Sequence, residues 1–229
     1  MNRKLVAAMV LAALSANAGT ITGHVHAEGK AGAQDAQCGL YDSKALKLAE
    51  RVNYDDMRDF VVYLEGVVGT NKPAAPGKPL QVVTTKKISQ KKATFNPHVL
   101  PVLVGTTVEW PNFDDIYHNA FSYSDAKPFD LGLYKDPEVK SVTFDKPGRV
   151  DVFCSIHASM NCIILVLENP YFAATDEKGA YTIANVPTGT YKLKAWHERL
   201  PAQVREVTVA EDGTIKEDFT LGIVNLPKY

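Results

Sequence analysis

Apolar and polar residues alternate over short stretches along most of this chain, and that period of two predicts strands. Residues 20–26, Thr-Ile-Thr-Gly-His-Val-His, alternate and read as a first strand, with His24 and His26 on one solvent-facing side. Residues 60–64, Phe-Val-Val-Tyr-Leu, read as another, ended by Gly66. Residues 80–85, 99–104 and 105–110 follow, the last two around a turn. Residues 142–144 and 150–153 flank the turn signal Pro147-Gly148, and the second of them runs straight into Cys154. Short strands separated by turn residues argue for an all-β chain built of sandwiches.

One stretch has the other period. Leu46, Ala49 and Val52 fall three apart, Lys44, Lys47, Glu50 and Arg51 lie mostly on other faces, and Asp42 or Ser43 can cap the start. This predicts a short helical insertion over about residues 40–58. Residues 69–79 are rich in Gly, Pro and Lys and read as a loop. Asn169-Pro170 marks a boundary, because the pattern changes beyond it. Asp176-x2-Gly179-x-Tyr181-x-Ile183 is followed by Asn185-Val186-Pro187-x-Gly189-x-Tyr191-x-Leu193. Turns at 176–179 and 187–189 would let Tyr181, Ile183, Tyr191 and Leu193 fill a small second core.

Composition narrows the class. The chain has 229 residues, enough for one or two domains, and 45% hydrophobic residues, as in globular proteins. A net charge of −1 gives no bulk attraction to nucleic acid or to an anionic membrane. The N-terminus stands apart. Asn2-Arg3-Lys4 is basic, residues 5–14 are apolar but too short to span a bilayer, and Ala16-Asn17-Ala18 supplies a cleavage pattern before Gly19. Residues 1–18 therefore read as an export signal. The mature chain, with no further membrane span, is expected in a periplasm, with secretion as the alternative.

The chemistry concentrates in residues 154–160, Cys-Ser-Ile-His-Ala-Ser-Met. The spacing C-x2-H-x2-M brings together a thiolate, an imidazole and a thioether, a soft set that suits copper better than an oxygen-seeking cation. A trigonal copper site needs a second His. The upstream pattern Asn112-x-Asp114-x3-His118-Asn119 supplies one. Taken singly, each residue has an ordinary reading: surface histidines, Met160 as a core gap-filler, Cys154 as half of a disulfide. Taken together at this spacing, they point to one site. His24, His26, His98 and His197 lie scattered, and His197-Glu198 lacks the spacing of a catalytic zinc site.

From about residue 84 to 167 these motifs resemble the cupredoxin family, especially the short-loop amicyanin and plastocyanin-like type and its exported, methylamine-utilisation members. The resemblance implies a Greek-key β-sandwich with one copper ion in a type 1 site. His118, Cys154 and His157 would bind it with Met160 axial, and Asn119 would brace the ligand loop by hydrogen bonding. It implies single-electron transfer to a transient protein partner, with an exposed edge of His157 as the exit and Ile156 and Ala158 as a small apolar docking patch. A copper carrier or buffer without a redox partner would use the same ligands. No enzymatic activity is expected, since a copper oxidase or reductase needs a second cluster with more histidines. If Cys154 binds copper, Cys38 and Cys162 remain as a candidate disulfide; the rival pairing, Cys154 with Cys162, would abolish the site. Residues 173–221 resemble the carboxypeptidase regulatory-like, transthyretin-like module, which implies a scaffold or docking surface. The expected organisation is thus a signal (1–18), a copper domain (19–168) and a small transthyretin-like sandwich (169–229).

Overall fold

The computed structural model describes residues 18–29, 54–68 and 84–222. Apart from Ala18, the expected export signal lies outside the described residues, and so do Cys38 and the stretch 40–53 of the expected helix. Of that insertion, Tyr54–Asp56 forms a single 3-10 turn. Every other regular element among the described residues is a strand.

In chain order the strands begin with β1 (Ala18–Glu28), β2 (Val61–Leu64), β3 (Thr85–Lys87), β4 (Ser89–Gln90), β5 (Phe95–Asn96) and β6 (Val99–Leu103). Next come β7 (Thr106–Pro111), β8 (Phe121–Ser122), β9 (Phe129–Asp130), β10 (Val139–Phe144), β11 (Gly148–Phe153) and β12 (Asn161–Leu167). The last six are β13 (Phe172–Ala174), β14 (Ala180–Pro187), β15 (Gly189–Trp196), β16 (Gln203–Val209), β17 (Thr214–Lys216) and β18 (Phe219–Gly222).

They sort into two sandwiches. In the first, a sheet ordered β10-β7-β3 faces a sheet ordered β6-β12-β11-β8-β9, with the hairpin β4-β5 beside them. Phe95, Trp110, Phe144, Val150 and Ile164 fill its core. In the second, β1 pairs with β14, β17 and β18, while β2 lies between β13 and β15, with β16 outside. Its core holds Ile21, Val25, Phe60, Leu64, Leu193 and Phe219.

This pairing does not divide the chain at residue 168, where the sequence pattern places the boundary. β1 and β2 belong to the C-terminal sandwich: all their strand partners lie beyond residue 170. The first sandwich, residues 84–167, is an insertion between the two parts of the second. The physical reason is that β1 alternates buried and outward positions, with His24 and His26 outward. Alternation says that a strand buries one face, not against which strand. Gly23 marks how closely the two parts approach, since a Cβ there would lie 1.8 Å from the Glu217 carbonyl oxygen.

The two sandwiches share an apolar seam. β12 is buried on both faces: Cys162, Ile164 and Val166 enter the first core, whereas Ile163, Leu165 and Leu167 meet Val61 and Val99, backed by Tyr63, Phe172 and Trp196. Side chains of this kind contribute about 1.5–3 kcal/mol each when fully buried. Polar contacts rim the seam. His98 Nε2 lies 3.2 Å from Glu198, and the Arg149 guanidinium stands 5.8 Å from the Trp196 ring centre. Asn169, at the expected boundary, is a tie rather than a linker. Its Nδ2 donates to the carbonyls of Leu64 and Gly66 at 2.7 Å, and its Oδ1 accepts from the Tyr171 amide.

Two outcomes follow for stability. Asn169→Ala leaves two carbonyls of the β2 segment short of a donor and is expected to cost about 1–3 kcal/mol in denaturant unfolding. Removing residues 169–229 strips β1 and β2 of their partners. In limited proteolysis followed by mass spectrometry, residues 18–68 of the shortened chain should digest first; equal resistance to the intact protein would contradict the pairing.

Candidate metal centre

The candidate ligand loop is a hairpin connection. β11 and β12 pair in register up to Phe153 opposite Asn161, so residues 154–160 must turn within seven positions. The Cys154 amide donates to the Met160 carbonyl at 3.1 Å and the Met160 amide to the His157 carbonyl at 3.0 Å. These bonds fold His157 back over Cys154, bringing its Nδ1 to 3.6 Å from Sγ. His118 comes from the segment after β7 and is held by a two-way backbone bridge to Tyr134. Its Nδ1 lies 3.0 Å from His157 Nδ1. His118, Cys154 and His157 form the one group of three such side chains, among the described residues, whose ligand atoms all lie within 4.8 Å of each other.

This donor set fits a soft metal ion. Nitrogen and sulfur ligands about 2.0–2.3 Å from one ion lie roughly 3–4 Å apart, and the separations above fall there. His118 is fully buried, Cys154 is buried, and His157 is half-buried. Met160 is buried in the same core cluster as Cys154. Ile156 and Ala158, on either side of His157, are both exposed.

The other ring nitrogen of His118 is anchored by a carboxylate. Nε2 lies 2.8 Å from Asp114 Oδ2, and the Asp114 side chain is 15% exposed. The Ala93 amide donates to the same oxygen at 2.9 Å and the Lys92 amide to Oδ1 at 2.7 Å. Both amides come from the two-residue turn of the β4-β5 hairpin, closed by reciprocal bonds between Lys91 and Thr94. Lys92 and Ala93 have φ of 55° and 50°. Two left-handed residues in succession normally select Asn-Gly, and a side chain there costs roughly 1–2 kcal/mol per residue. Burial works to raise the Asp114 carboxyl. The Ala93, His118 and Lys92 hydrogen bonds outweigh it and hold the group at about 2. The sequence pattern contains Asp114, four residues before His118, but nothing in it assigns the residue a role; the hairpin turn 21 and 22 residues upstream does.

Other polar groups fix the two loops against each other. Asn119 Oδ1 accepts from the Ser155 amide at 2.7 Å, and its Nδ2 donates to Asp130. Asn112 Nδ2 donates to the carbonyls of Ile116 and Tyr134, and its Oδ1 accepts from the Asp114 amide. Below them, the Tyr134 hydroxyl donates to the Trp110 carbonyl and meets Gln90 Nε2. Burial pushes the Tyr134 phenol well up.

The remaining candidates sort differently. Cys162 carries a thiol buried in the first core and is not joined to Cys154; Cys38, its expected partner, lies outside the described residues. The reason is the strand period: position 162 points into the sandwich, opposite Val152 on β11. His24 and His26 stand outward on β1, beside Asp218 and Thr220 respectively. His98 pairs with Glu198 at the seam, and His197 packs its ring 5.0 Å from that of Phe60.

Comparison with known proteins gives partial matches. A family model described as polysaccharide lyase family 4, domain II, matches residues 167–217, well short of half the chain. The expected carboxypeptidase regulatory-like module is not what that comparison returns. No curated protein matches. Solved structures that resemble part of the chain are cupredoxins. A copper-containing nitrite reductase from Thermus scotoductus SA-01 is 31% identical over 43% of this chain, with a TM-score of 0.37. The match spans only 26% of the reductase's own length. A purple cupredoxin from Nitrosopumilus maritimus is 24% identical over 36% of this chain and 98% of its own, with a TM-score of 0.32. A reduced amicyanin mutant is 23% identical over 44% and 96%, with a TM-score of 0.33.

The thiol chemistry of the site can be read directly. Burial first, and the nearby Asp151 charge second, push the Cys162 thiol well above its ordinary range. At pH 8 in the folded protein, Cys162 should therefore resist iodoacetamide and become alkylated only in denaturant without reductant, as peptide mass mapping would show. Alkylation that requires prior reduction would reveal a disulfide instead.

Proposed function

We propose that this chain is an exported protein that holds one copper ion at His118, Cys154, His157 and Met160 and passes single electrons between protein partners, without catalysis of its own. One observation carries the reading: two imidazole nitrogens and a thiolate sulfur converge in a buried place, and only His157 reaches the surface. Copper in such a donor set supplies a one-electron couple.

The protein's own residues suit that task. Cys154, His157 and Met160 share one short hairpin on a rigid sheet, and His118 is held at its backbone and at Nε2. Ligands that move little leave little to reorganise when the charge changes. Further apolar residues are exposed on the segment that precedes His118. Phe113, Ile116 and Tyr117, from the loop leading to His118, are each about half exposed or more: 62%, 49% and 52%. A small apolar rim around one half-buried imidazole suits a weak, transient protein contact.

The location rests on residues 1–18, whose basic, apolar and small-residue segments suit export to a periplasm. No helix among the described residues is long and apolar enough to cross a membrane. The second sandwich, packed along β6 and β12, would serve as a scaffold or docking surface.

The test is a visible spectrum of the copper-loaded, oxidised protein beside Cys154→Ser. An intense thiolate-to-copper band, absent in the variant, together with a fast reversible one-electron couple, is the expected result. A band without a reversible couple, and ready loss of copper to a chelator, would favour copper carriage. No band would remove the copper reading.

A further inference from the structure

The turn at Lys92-Ala93 is an unusual place for two non-glycine residues, and both of its amides point at one carboxylate. That carboxylate takes no lysine or arginine as a partner among the described residues. Its hydrogen bonds come from two backbone amides and from His118 Nε2. Neutral amides hold the group in place without cancelling its charge. The hydrogen bond also decides the form of the imidazole. With Nε2–H donated to Asp114, the Nδ1 lone pair is left facing His157 Nδ1 and the Cys154 side of the site.

We infer that Asp114, clamped by the Lys92–Ala93 turn, is a positioning residue that fixes His118 as its Nε2–H tautomer and sets the metal's preference between its two oxidation states. A fixed negative charge one imidazole away from the ligand atom favours the more positive ion. It strengthens binding of copper(II) more than copper(I) and so lowers the reduction potential. The inference rests on the copper reading for its second half only; the tautomer is a property of the protein alone.

The experiment has two parts. Long-range 1H–15N correlation on the metal-free wild-type protein should show His118 protonated at Nε2 with a bare Nδ1. Protonation at Nδ1 would overturn the role of Asp114 whether or not copper binds. Asp114→Asn keeps the side-chain shape and removes the charge. Copper(II) affinity should fall about 10–100-fold, with a smaller loss for copper(I). Each tenfold difference between the two losses raises the reduction potential by about 59 mV. A folded Asp114→Asn protein with wild-type potential and affinity would overturn the proposal. If that variant does not fold, the wild-type tautomer decides. If wild-type protein takes up no copper, the function proposed above falls, and the His118 tautomer still judges Asp114.

Discussion

Strand β12 is buried on both faces, and both halves of the molecule depend on it. Its Cys162, Ile164 and Val166 complete the core beneath the ligand loop, while Ile163, Leu165 and Leu167 form the seam with the second sandwich. The loop that carries Cys154, His157 and Met160 begins where β11 ends and stops where β12 starts. Its geometry is therefore set by the β11-β12 register. A slip of one residue would turn every β12 side chain to the opposite face, exchanging the two cores and moving Met160 out of the first. The same apolar packing that joins the sandwiches thus holds the site to a single shape.

Around that loop, the buried side chains of Asn112, His118 and Asn119 find polar partners, as low-dielectric surroundings favour. Asn112 and Asn119 are buried, and each side chain satisfies backbone amides or carbonyls of the loops that carry the ligands. His118, fully buried, uses one ring nitrogen toward the site and the other toward Asp114. The left-handed turn at Lys92 and Ala93 is locally unfavourable and is retained because its amides complete this arrangement. Local backbone preference yields here to hydrogen bonding of a partly buried carboxylate.

The insertion of one sandwich into another is simple in topological terms. The chain leaves the second sandwich along β2 and returns along β13, and these two strands are antiparallel neighbours, with Tyr63 opposite Phe172. Departure and return on adjacent strands let a whole domain intervene without opening the host sheet. Asn169 locks the junction by bonding back to the β2 segment.

Much of this was legible in the residues themselves. Period-two alternation marked the strands at 20–26 and 150–153, because a half-buried strand needs an apolar residue at every second position, and a continuous apolar run marked the one at 60–64. The spacing from Cys154 to Met160 pointed to a candidate ligand loop, because its chemistry lies within one short hairpin. What the sequence could not determine is which distant surfaces meet. β1 reads the same whichever sheet receives it, and only the packed structure joins it to β14, β17 and β18. The count of three cysteines does not tell where Cys162 points, and the strand's phase turns it into the first core. Asp114 stood in plain view in the upstream pattern, yet its role required the amides of Lys92 and Ala93 to arrive from another hairpin. Period and spacing are properties of neighbours along the chain, and the sequence sets them. Partners far apart along the chain are chosen by the competition to bury apolar faces and satisfy polar groups, which only the tertiary structure resolves.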